Sequence, residues 1–569
     1  MGSRKGVRVV LGLCAGLACL VPAHAATKPN VVFVLIDALR ADSIAGTRNG
    51  VPLMPYLNGL SAVRFENATT PASWTLPAMV SLFTSQFVDT HGVFAQGASL
   101  PANIQSMAAW FKEAGYTTIG IQTNGNLSGQ RGFSQGFDQY EDMINTVAET
   151  VTTHALAATQ SVSEPFLLYT HYLDPHMPYD PPQSYRTLVG YPDPGLPQSD
   201  QAILDNFLNG YFWDYLNYLM GVRPTPPQPE LTALGKDSLR VRYDGETRYT
   251  DDQVRSLLDN LLGRFPNTIV VVLADHGDHF WEHRFIGHEV TVYEPLMHVP
   301  LIIKAPGLTP GAVTDVVDTV DVLPTLAGLI GLPAPRAWQG RSLFAARDPQ
   351  GPVFSCAKAG QDYHLDLHMI RQGSMKLICN RGTGALELYN LAPDPGETIN
   401  LAQQQPALSR QMLDTLNIHL RENARRRGSG GIVLWAEWPG GLLEEGHPIR
   451  FVAPEGVGYV WFKDGQPLHD SPPRLAGTDT QSLFIAAAAT EDSGGYECMY
   501  SDADQNLRIT EQDLVTVVPV DSVPVFGVGT AAALVVFFAG LGCMLLREKR
   551  GQTRLRCAPL GSVPVFRKH

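Results

Sequence analysis

Short runs that are apolar at nearly every position recur along the chain at Pro29–Ile36, Phe166–His171, Thr268–Ala274 and Val299–Lys304. Such runs, rich in β-branched residues, predict strands buried on both faces, as in the sheets of α/β domains. Helical spacing appears between them. Ala78–Phe83, Tyr243–Arg264 and Thr319–Ile330 read as helices, and Ala102–Asp142 alternates helix and strand. Ala202–Leu219 carries Leu204, Leu208, Tyr211, Tyr215 and Leu219 on one helical face, suited to the core or to covering a nearby site. Pro178–Asp200 is proline-rich and predicted to be irregular. Shorter strands follow in Gly351–Gln403, then a helix at Pro406–Arg427. Alternating β-like runs occupy Gly430–Val518.

Two of the buried runs end the same way. Asp37 follows the first, and Asp275-His276-Gly277 follows Thr268–Ala274. Carboxyl ends of strands far apart in sequence can converge in a parallel sheet, where ligand sites collect. Asp278, His279, Glu282, His283, His288 and Glu289 crowd the next turns, a set of side chains suited to a metal-assisted site. Thr75 sits at the start of the Ala78–Phe83 helix, where a hydroxyl acts as a cap or faces an anion. His176 lies in the rigid turn Leu173–Tyr179.

The ends of the chain add location. Met1–Ala25 has basic residues, an apolar core and Ala23-His24-Ala25, the pattern of a cleaved signal peptide. Val525–Leu546 is uncharged, apolar and long enough to span a bilayer, and the basic tail 547–569 follows it. The predicted topology is an exported single-pass membrane protein with its body outside the cytoplasm. The same end resembles bacterial surface-sorting signals whose helix is removed. A net charge of −13 without a basic stripe sets nucleic acid aside as a partner. The oxidising compartment permits a disulfide between Cys356 and Cys379, placed on what read as neighbouring strands. In Gly430–Val518, Trp461 and the run Asp492–Cys498 resemble an immunoglobulin-like sandwich. Its first cysteine is missing, with Phe451 and Val452 in that region, so Cys498 is expected to be a free buried thiol. An adhesive module and a plain spacer are both open for it.

NVVFVLIDALRAD, SWTLPAMVSLFT, VVVLADHGDHFWEHRFIGHE, LDPHMPY and LELYNLAPDPGETINL occur in an order that resembles the sulfatase-like branch of the alkaline phosphatase superfamily. The resemblance implies an α/β sandwich over 26–345 with a small antiparallel sheet in a subdomain at 346–427. It also implies one divalent metal ion (Ca, Mg, Mn or Zn) on Asp37, Thr75, Asp275 and His276. Asp174, His176 and His288 form a less fitting second set. His176 and His288 match positions that contact the substrate anion or protonate the leaving group, while Arg40 and Asn124 match supporting contacts. Thr75 falls where sulfatases keep the Cys or Ser that becomes formylglycine, and Met79 replaces the motif's arginine, so no formylglycine is expected. Thr75 is then the candidate nucleophile as an alkoxide. The expected substrate is an anionic sulfate, phosphate or phosphonate ester. A phosphoryl-group transferase and an inert glycan- or protein-binding relative are the alternatives.

Overall fold

The computed structural model describes residues 28–190, 195–359, 365–428, 435–436 and 442–519. Its centre is an eight-stranded mixed sheet. The strands are β1 (Asn30–Ile36), β2 (Val63–Thr69), β3 (Thr117–Gln122), β4 (Gln139–Asp142), β5 (Phe166–Tyr172), β6 (Thr268–Leu273), β7 (Leu301–Lys304) and β8 (Gly311–Asp318). They stand in the order β8-β2-β7-β6-β1-β5-β3-β4. β1 runs parallel to both β5 and β6, so the carboxyl ends of all three meet at one edge. Every residue of these three strands is buried, which is why their sequences are apolar at nearly every position.

The flanking helices include α1 (Thr75–Thr84), α2 (Ala148–Ala158), α3 (Phe212–Leu219), α4 (Ala233–Arg264) and α5 (Val322–Ile330). Two helical expectations change. α4 begins at Ala233 rather than Tyr243, because Thr232 caps it by accepting the Gly235 N–H at 3.2 Å. Ala202–Leu219 is not one helix. A wide turn at Phe207–Tyr211 separates Gln198–Asp205 from α3, and it lets Phe207, Tyr211 and Phe212 all bury their rings. The stretch 178–200 also holds a short helix, Gln183–Val189.

A second sheet, β9 (Val353–Ala359), β10 (Leu365–Gln372), β11 (Met375–Asn380) and β12 (Leu386–Asn390), is antiparallel in chain order and packs against α6 (Pro406–Arg427). Cys356 and Cys379 are both free. Each lies opposite His368 of the intervening β10, so two strand spacings (about 9.6 Å) separate them, more than a disulfide spans.

Residues 442–519 form two packed sheets around fully buried Trp461, whose indole N–H donates to Thr480 O at 2.8 Å. Tyr496 donates its hydroxyl to Asp492 O at 2.7 Å, and the Phe451 ring lies 4.8 Å from the Tyr496 ring. Cys498 is a free buried thiol, as expected. This unit shares a core with the rest: Phe462, Met499 and Ile509 pack with Ile370, Leu377 and Leu416. Buried Glu497 binds both Arg421 and Arg425 of α6. The segments 1–25, 525–546 and 547–569 lie outside the described residues. Among the described residues no helix is long and apolar enough to cross a membrane.

Candidate active site

Asp37 leaves β1 and Asp275 follows β6, and strand adjacency sets their carboxylates side by side. Asp37 Oδ2 accepts from His171 Nε2 at 3.0 Å and from Asn124 Nδ2 at 2.7 Å. Asp275 Oδ1 accepts the N–H groups of Ala38 (3.2 Å) and His276 (3.0 Å). The other oxygens, Asp37 Oδ1 and Asp275 Oδ2, are buried without a partner. Both face His276 Nε2, at 3.6 and 3.4 Å. His276 Nδ1 lies 2.9 Å from Gly277 O and donates to it, so Nε2 carries the lone pair. Two orphaned carboxylate oxygens and an imidazole lone pair fit a divalent cation, and the donor set suits Mg, Ca, Mn or Zn alike.

Thr75 is the first residue of α1. Trp74 is the cap position, and the Thr75 hydroxyl does not serve as a cap. Its Oγ1 lies 3.3 Å from His276 Nε2 and accepts from Asn124 Nδ2 at 3.3 Å. The loop before it is clamped: Cys356 N–H donates to Pro71 O at 3.0 Å, and Ser73 Oγ donates to Glu289 O at 2.6 Å. Thr75, Asn124, His176 and His288 open together on a cavity of about 570 Å³. His176 Nδ1 donates to Met177 O (2.6 Å), and His288 Nδ1 to Asp278 Oδ1 (2.7 Å). Each ring thus keeps Nε2 free. Tyr179 donates to the second Asp278 oxygen at 2.8 Å.

Burial opposes every charge here, and neighbours decide the outcome. For Asp37, burial is outweighed by His176, His171 and His276, which hold its carboxyl well below the usual range. For Asp275, burial and the Asp37 charge push the carboxyl up to about 7. Burial lowers His276. Burial works against the Asp278 carboxylate, yet His288 keeps it below its ordinary value.

The Sulfatase family profile matches residues 29–332. The chain belongs to this family. It is 26% identical over 427 residues to the uncharacterized sulfatase YidJ of Escherichia coli (strain K12), covering 66% of this chain and 83% of that one. It is 26% identical over 444 residues to a Delta 4,5-hexuronate-2-O-sulfatase of Bacteroides thetaiotaomicron, covering 68% and 88%. Among solved structures, the phosphonate monoester hydrolase of Silicibacter pomeroyi shares the fold with a TM-score of 0.57 at 21% identity, over 70% of this chain and 96% of that one. The phosphonate monoester hydrolase of Agrobacterium radiobacter gives 0.57 at 18% identity, over 69% and 96%. The chain is an ester hydrolase of the sulfatase family.

Within this sulfatase fold, one expected contact is corrected. Arg40 does not line the cavity. Its guanidinium binds Asp42 (2.7 Å), Glu282 (2.8 Å) and Asp278 O (2.8 Å), bracing the loop after His276. The crowd of polar residues also sorts itself. His279 is bonded to Thr291, and His283 stacks on Tyr293. In the grouping of His276, Asp278 and His288, both Asp278 oxygens are already hydrogen-bonded, to His288 and Tyr179. Asp174 accepts the Ala148 N–H instead of joining the histidines. The sequence reading missed His171, which orients Asp37. It lies inside β5, one residue before its end, and a polar residue within a buried apolar run is the signal that could have found it.

Proposed function

We propose that the chain is a metal-dependent hydrolase of phosphate or phosphonate esters, with Thr75 as nucleophile in place of formylglycine. One observation carries the reading: Thr75 Oγ1 stands 3.3 Å from His276 Nε2, beside the two unpartnered carboxylate oxygens. Asp37, Asp275, His276 and Thr75 would hold the ion, which would lower the hydroxyl pKa and draw charge from a non-bridging ester oxygen. Asn124 holds the Thr75 oxygen by donating one amide hydrogen to it and the other to Asp37. Thr75 gives up its proton to solvent water, its Oγ attacks phosphorus, and the bond to the leaving alcohol breaks. That alcohol takes a proton from Nε2 of His288 or His176, whichever ring enters the step protonated on both nitrogens; both line the cavity. Water then attacks the phosphothreonine and restores the hydroxyl. A plain alcohol nucleophile suits phosphorus, since the hydrate chemistry of formylglycine is missing from this motif.

The 442–519 sandwich we read as immunoglobulin-like, supported by buried Trp461 and the Tyr496–Asp492 hydrogen bond. Export and membrane attachment rest on the two apolar ends of the sequence. The test of the reaction uses aryl phosphate, phosphodiester, phosphonate and sulfate substrates with Mg, Mn, Ca and Zn. Turnover of a phosphorus ester that Thr75→Ala abolishes is the expected result. Turnover of aryl sulfate alone would replace it with sulfuryl transfer.

A further inference from the structure

The cavity in front of Thr75 has an unusual charge for a site that receives an anion. Among the described residues its lining holds no lysine and no arginine. It holds four carboxylates instead: Asp174, Asp180, Glu246 and Glu289. Glu246 is 97% buried, given its 3% exposure, and one of its oxygens accepts the Asp180 N–H at 2.7 Å. The other, Oε2, has no hydrogen-bond partner. A buried, half-satisfied carboxylate on a cavity wall implies a donor or a positive charge that arrives with the ligand. Trp74, Phe212 and Trp213 line the same space, and Trp213 is 41% exposed at its rim. Aromatic faces beside carboxylates are the surroundings that stabilise an organic ammonium.

We propose that the ester this site accepts carries an ammonium group on its alcohol portion, held by Glu246 and the aromatic wall formed by Phe212 and Trp213. The inference rests on the ester-hydrolase reading above and names its substrate class. One anionic centre would meet the histidines and the metal-ligand set, while the cation would lie toward α3 and α4. A polysulfated glycan fits poorly, since further anions would face four acids and no lysine or arginine. Burial, with the Asp174 charge beside it, outweighs the opposing pull of Arg186 and Arg242 and raises Glu246 well above its ordinary value, so an incoming cation favours its ionised form.

The test compares phosphocholine with 3,3-dimethylbutyl phosphate, which has carbon in place of the quaternary nitrogen. Calorimetric titration of the metal-loaded Thr75→Ala protein reads binding whether or not any ester is turned over. The expected result is phosphocholine binding at least about tenfold tighter, roughly 1.4 kcal/mol. Glu246→Gln brings the ratio toward one, and Trp213→Ala at the exposed rim reduces it several-fold. Equal affinity, or tighter binding of the uncharged isostere, overturns the proposal. Preserved discrimination in a protein that hydrolyses no ester would instead overturn the reaction and leave the cation site standing.

Discussion

Thr75 and His276 meet through one pair of atoms: Oγ1 lies 3.3 Å from a ring nitrogen whose lone pair is free because the other nitrogen donates to Gly277 O. The threonine proton is therefore directed at the lone pair that ligation of an ion would use. The hydroxyl is fixed by α1 on one side and by Asn124 on the other, so little reorganisation separates it from attack.

Thr75→Ala should lower kcat on the best phosphorus ester by at least about 10³-fold, because the substitution removes the proposed nucleophile, the hydroxyl beside the Asp37–Asp275–His276 set. Thr75→Ser should stay within roughly tenfold, since the same oxygen is kept at the first position of the helix. Metal content measured on both variants separates a lost nucleophile from a lost ligand. Full activity in Thr75→Ala would end the alkoxide mechanism.

Asp275 supplies a pH dependence with a definite sign. Its carboxyl is raised from an unfolded value near 4 to about 7 by burial and by Asp37. The folded, metal-free protein holds this proton more tightly than the unfolded chain. The resulting stabilisation is full below about pH 4 and lost as pH rises through about 7. Melting temperature without metal should therefore fall over that window through this group. Metal affinity should rise about tenfold per pH unit until Asp275 ionises, because ligation must displace its proton. A flat affinity from pH 5 to 7 would contradict this.

Asp278 orients His288 and has no contact of its own with the nucleophile. In Asp278→Asn the carboxylate that fixes the His288 ring through Nδ1 is gone, so proton donation to the leaving alcohol should weaken. The loss should reach about 10²-fold for alkyl esters and stay within a few-fold for a nitrophenyl ester, whose leaving group needs no proton. Equal losses on both would assign Asp278 to structure alone.

Much of this centre is legible in the chain because buried strands announce themselves. After their first residues β1 and β6 are wholly apolar, so Asp37 and Asp275 stand out at their ends. Helix α6 is also legible, from Pro406 at its start to its closing arginines. Other features depend on neighbours that no local pattern encodes. Arg40 follows Asp37 by three residues, yet its guanidinium goes to Asp42 and Glu282. The order of β9, β10 and β11 separates Cys356 from Cys379, and spacing along the chain cannot reveal which strand lies between. Glu246 reads as one more polar position on a long helix. Only packing against Asp180 and the cavity distinguishes it.

The junction between α6 and the sandwich gives a stability prediction separate from catalysis. Glu497 is fully buried and binds Arg421 and Arg425, whose side chains are 15% and 42% exposed. Removing its charge in Glu497→Gln leaves two guanidinium groups without their counterion. Loss of one partner from a fully buried pair costs about 3–5 kcal/mol, and the exposure of Arg425 reduces this to roughly 2–3 kcal/mol. Because Phe462, Met499 and Ile509 share a core with α6 and the β10–β11 strands, the loss should appear as one cooperative unfolding transition at lower temperature. A sandwich that merely spaced the catalytic unit from a membrane would melt separately and leave the main transition in place. Calorimetry on wild type and variant distinguishes the two, and kcat below the transition should be unchanged.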